Sequence, residues 1–83
     1  MARVRAAGSH LVDIIRDFDA RGQRAGTAEV EAVFKRAYPQ TSTVEFRQLV
    51  DTLRSLHVLY EVKGPDGIGG PGPTALHVLG ELR

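Results

Sequence analysis

Residues 64–73, GPDGIGGPGP, place five glycines and three prolines in ten positions. Glycine loses the most backbone freedom on ordering and proline removes a backbone donor, so neither a helix interior nor a central strand passes through such a stretch. On its N-terminal side Val58, Leu59, Tyr60 and Val62 are dense in β-formers, and on its C-terminal side Ala75-Leu76-His77-Val78-Leu79 reads as a second strand. Together they predict a β-hairpin with a long loop over about residues 64–74.

What precedes it is helical in period. Leu11, Ile14, Ile15 and Phe18 stand at i, i+3, i+4 and i+7, with Ser9 placed to cap and Gly22 placed to end the element near Arg21. Val30, Val33, Phe34 and Ala37 repeat the spacing, with Thr27 as the expected cap and Pro39 as the stop. Ser42 followed three residues later by Glu45 forms a capping box. Behind it Phe46, Leu49, Val50, Leu53 and Leu56 carry an apolar stripe through about three turns. The expected core combines Leu11, Ile15, Phe18, Val33, Phe34, Phe46, Leu49, Leu53, Leu56, Val58 and Tyr60. Residues 1–10 show no such period and read as a flexible basic arm before a domain over 11–83; Gly8-Ser9-His10 also looks like the remnant of an expression tag.

Eighty-three residues with 42% hydrophobic and 25% charged side chains suit one small globular domain. The absence of cysteine removes disulfides and cysteine-based zinc sites from its means of stabilisation and fits a cytoplasmic address. No run of about 18 apolar residues is present, which argues against a membrane role. Net charge is +1, but residues 1–24 hold five arginines against three aspartates, and residues 64–82 hold no lysine or arginine.

Three short helices followed by a hairpin give an α+β order that resembles the winged helix-turn-helix superfamily. The residues that carry the likeness are the turn Gln40-Thr41-Ser42 and the passage LRSLHVLYEV, where His57 stands at a position that tends to want a left-handed backbone. The resemblance implies that residues 64–74 are the wing, that residues 21–26 add a small extra strand, and that the third helix enters the major groove of double-stranded DNA. With the stripe inward, Thr43, Val44, Arg47 and Gln48 lie toward the groove, where Arg suits guanine, Gln suits adenine and Val suits a thymine methyl. Lys35 and Arg36 are the expected phosphate contacts, and Lys63, at the base of the wing, is the sole candidate cation there for the DNA. A small regulator of transcription, or an accessory domain of a larger DNA-processing protein, is the leading expectation.

The charge map favours a runner-up. A sequence pI of about 8.2 lies under the level of about 9 that marks a nucleic-acid footprint, Asp51 shares the outward face, and the wing has no cation to place in a minor groove. The same fold used as a protein-interaction or dimerisation module fits these features, and Val12, Val44 and Ile68, which fall off the stripes, suggest a homodimer. Residues 67–72 satisfy G-x-G-x-x-G, but a strand rather than a helix follows, so no dinucleotide is expected. His10, His57 and His77 lack metal-ligand spacing, and pairing near Val62 and Leu76 would set His77 opposite Glu61 and His57 opposite Glu81. No cofactor, small-molecule substrate or enzymatic activity is expected.

Overall fold

The computed structural model describes residues 2–63 and 74–79. Its elements are α1 (Ala2–Ala20), α2 (Thr27–Ala37), α3 (Thr43–Ser55), β1 (Leu59–Lys63) and β2 (Thr74–Val78). This is the α+β layout of a three-helix bundle followed by an antiparallel hairpin. The loop assigned to the wing, with Ile68, and Glu81 lie outside the described residues.

The two best-marked helix ends share one chemistry. Gly22 takes φ 67, its N–H reaches the carbonyl of Asp19, and the Gln23 N–H reaches that of Phe18, which is a Schellman close to α1. His57 takes φ 59 and repeats the pattern at the end of α3, with its N–H on Arg54 and the Val58 N–H on Leu53. Val58 and Leu53 are both buried, the apolar contact that accompanies this motif. The start of α3 is the predicted capping box: Glu45 N–H donates to Ser42 Oγ at 3.1 Å, and Ser42 N–H donates to Glu45 Oε1 at 3.1 Å.

Two expectations about helix starts fail. α1 begins at Ala2, not after Ser9, so residues 2–10 are its first turns rather than an arm. Ala7 packs against the core, Gly8 is buried, and the His10 ring lies 6.0 Å from Phe34 and 5.5 Å from Tyr38, so the segment that resembles a tag remnant is part of the bundle. Thr27 is the first helical residue of α2 and not its cap; Gly26 holds that place without a side-chain bond. The Thr27 hydroxyl is used elsewhere, as described below.

The core gathers Leu11, Ile15, Val30, Phe34, Phe46, Val50, Leu53, Leu59 and Leu76, each at most 2% exposed. Phe34 stacks on Tyr38 at 4.8 Å and meets Phe46 edge-on at 5.6 Å, joining α2 to α3. Phe18, Val33 and Leu49 pack at its margin. Leu56 and Tyr60, expected inside, are 57% and 40% exposed. Leu56 sits one residue past α3, where the stripe no longer points inward, and Tyr60 falls on the outer face of the hairpin. Val12 is buried, so it offers no surface for a partner.

In the hairpin Tyr60 pairs with His77, Glu61 with Leu76 and Val62 with Ala75. The register is therefore one residue away from the expected one, and His77 stacks on Tyr60 at 4.9 Å instead of facing Glu61. Gly26 forms a single bridge with Ala75, and Leu76 N–H donates to the Ala25 carbonyl at 2.8 Å. The extra strand at residues 21–26 is thus reduced to one bridge on the β2 side.

Candidate functional site around the third helix

The inward-facing run of β1 sets Glu61 on the same side as buried Leu59, and its side chain is only 8% exposed. A carboxylate in that position needs partners. Arg47 of α3 supplies two, with Nη1 at 2.9 Å from Oε2 and Nη2 at 2.6 Å from Oε1. Thr27 Oγ1 donates to Oε2 at 3.1 Å, and the Thr27 and Thr74 hydroxyls are hydrogen-bonded to each other. These four side chains come from α2, α3, β1 and β2. The Arg47 bonds, ahead of those from Thr74 and Thr27, overcome burial and hold the Glu61 carboxyl down at about 2, while the Arg47 guanidinium is pushed above its ordinary value by the same contact.

Arg47 was expected to face a base. Its fork is instead filled by Glu61, with Asp51 a further 3.3 Å contact, and Arg54 stands 3.7 Å from both acids. Two arginines and two acids therefore cancel along the middle of α3. A second tie joins the ends of α2 and α3: Lys35 Nζ lies 2.7 Å from Glu31 and donates to Thr43 Oγ1 at 3.1 Å, while Thr43 Oγ1 donates to Glu31 at 2.8 Å. The Lys35 bond first, then that of Thr43, lowers the Glu31 carboxyl below its usual range.

Three of the seven residues expected at DNA are thus occupied within the fold: Lys35, Thr43 and Arg47. The other four, Val44, Gln48, Arg36 and Lys63, are exposed, and they divide among α3, α2 and the end of β1. Sequence reasoning missed Glu61, Thr27 and Thr74. The signal for Glu61 was available: alternation from Leu59 puts it on the buried face, and a buried acid requires a cation in reach.

Among the described residues the large exposed apolar side chains are Val44 at 65%, Leu56 at 57%, Leu79 at 58% and Tyr60 at 40%. Among the described residues no cluster of His, Cys, Asp or Glu could hold a metal ion, and no helix is long and apolar enough to cross a membrane. Compared with known proteins, the chain matches no protein family, no curated protein and no solved structure.

Proposed function

We propose that the chain is a winged-helix domain that works as a protein-interaction module in the cytoplasm. The observation that carries this proposal is the engagement of Arg47 by Glu61. A base-reading arginine must present its fork to guanine, and releasing it here would strand a carboxylate that is almost fully buried. The α3 surface is electrically balanced along its middle, with exposed Val44 at one end and Leu56 at the other, so it offers little net positive charge to phosphate and apolar contacts at both ends.

A photo-crosslinking amino acid at position 44, in cells that make the native chain, tests it. Adducts that disappear with protease and survive nuclease are expected. Nuclease-sensitive adducts, or none, would overturn the proposal.

A second reading, binding of duplex DNA, has one feature in its favour: Val44 and Gln48 are exposed on the first two turns of α3, with Arg36 and Lys63 also exposed. It calls for a low-salt titration in which Arg36→Ala weakens all sequences alike and the salt slope falls by roughly one unit.

A further inference from the structure

The turn after α1 leaves a hollow beside it. The Schellman close at Gly22 ends α1, and the Gly26 bridge with Ala75 pins the chain to β2 shortly afterwards. Residues 23–25 span the distance between these fixed points, and a cavity of about 170 Å³ lies among α1, this span and the two strands. Buried Ile15, Ala25 and Leu76 give it an apolar lining, with half-buried Val78 beside them. The stacked rings of Tyr60 and His77 also face it. An apolar cavity of about 150 Å³ accepts benzene, so the space suits one six-membered ring, and neighbouring aromatic side chains favour a ring there.

The polar lining is Arg16, Asp19, Gln23 and Arg24. Arg24 already has a contact within the fold. Arg16 and Asp19 are exposed and three apart on α1, which makes them neighbours on the helix surface. Among the described residues, however, neither side chain has an ion pair or hydrogen bond, with the other or elsewhere. Asp17 and Arg21 on the same helix do close on each other, at 2.7 Å.

We propose that this cavity binds a free aromatic amino acid with a single ring: the ring on the apolar lining, the carboxylate on Arg16 and the ammonium on Asp19. A zwitterion carries its two charges on one carbon, and an adjacent guanidinium and carboxylate that leave each other unpaired match both. An aromatic acid would bring its charge close to Asp19, and an aromatic amine would bring its charge close to Arg16; the zwitterion alone uses the two together. Gln23 adds a neutral donor and acceptor. No local motif announces the site, because its lining comes from α1, the span after it and both strands. It includes no residue of α3, so it does not depend on the interaction reading.

Three probes with the same ring test it by titration into the isotope-labelled chain, followed by NMR: L-phenylalanine, 2-phenylethylamine, which lacks the carboxylate, and 3-phenylpropionate, which lacks the ammonium. L-Phenylalanine should give saturable shifts at the amides of residues 15–16, 19, 23–25 and 76–77. It should bind about fivefold tighter than either analogue, the most that one solvent-exposed charge contact supplies. Arg16→Gln should weaken L-phenylalanine and 3-phenylpropionate and leave 2-phenylethylamine unchanged. Asp19→Asn should weaken L-phenylalanine and 2-phenylethylamine and leave 3-phenylpropionate unchanged. Absence of saturable shifts at millimolar L-phenylalanine, equal affinity for the three probes, or a variant that weakens all three alike overturns the proposal.

Discussion

Replacing Arg47 by Ala removes the main partner of a buried carboxylate, and the cost can be worked from the titration of that carboxylate. Glu61 ionises at about 2 rather than at its ordinary 4.5. At about 1.36 kcal/mol per pH unit, this difference corresponds to about 3 kcal/mol of stability at neutral pH. Arg47 is 42% exposed, so solvent screening reduces its share, and the Thr27 and Thr74 hydroxyls remain in the variant; a loss of about 2 kcal/mol is expected. The folded-state value is the depressed one, so the stabilisation is complete above about 4.5 and is lost as pH falls from there toward 2. Urea unfolding followed by circular dichroism should therefore show the Arg47→Ala midpoint lowered by about 2 M at pH 7, given a slope of about 1 kcal/mol/M for a domain this small. At pH 2 the difference should nearly vanish. A double-mutant cycle with Glu61→Gln at pH 7 provides the coupling directly. A coupling under about 0.5 kcal/mol, or an Arg47→Ala effect equal at both pH values, would refute the placement of Arg47 as a structural tie.

Ser42→Ala should cost about 1 kcal/mol and speed hydrogen exchange at the Glu45 amide, with no change at the end of α3. His57→Gly should stabilise by about 0.5–1 kcal/mol because His57 pays for its left-handed backbone, whereas His57→Val should destabilise; calorimetric melting points moving together in one direction would show that the backbone there carries no strain. Phe34→Ala should cost about 3–5 kcal/mol, since it empties a site 1% exposed between Tyr38 and Phe46, and a loss under about 1 kcal/mol by denaturation would contradict the packing described.

Local chemistry was readable in the sequence and long-range chemistry was not. The capping box at Ser42, the Gly22 stop and the left-handed need at His57 are fixed by residues within a few positions of one another, and all three stand as expected. The start of α1 was missed because two arginines and a Gly-Ser pair obscure the spacing of Ala7, Leu11 and Ile15, which continues the stripe backward by a turn. The hairpin register slipped by one because a loop rich in glycine and proline fixes no turn type, so only the packing of Leu59 and Leu76 decides it. The face of Arg47 was judged from its own helix, while its partner lies 14 residues away on a strand. Thr27 shows the same failure: its capping propensity was real, but an acid 34 residues on claims the hydroxyl.

The joint between α3 and β1 has no spare residue. Every backbone donor from Leu56 through Val58 is spent on a carbonyl of the last turns, with Leu56 on Thr52, His57 on Arg54 and Val58 on Leu53. One inserted residue would advance β1 by a single place and exchange its faces, turning Leu59 and Glu61 to the outside and Tyr60 and Val62 toward the bundle. The carboxylate that ties four elements together would then leave its arginine behind. Chain length at this joint is therefore as much a part of the structural code as residue identity, and a single added or deleted codon here does more damage than most replacements of the residues themselves.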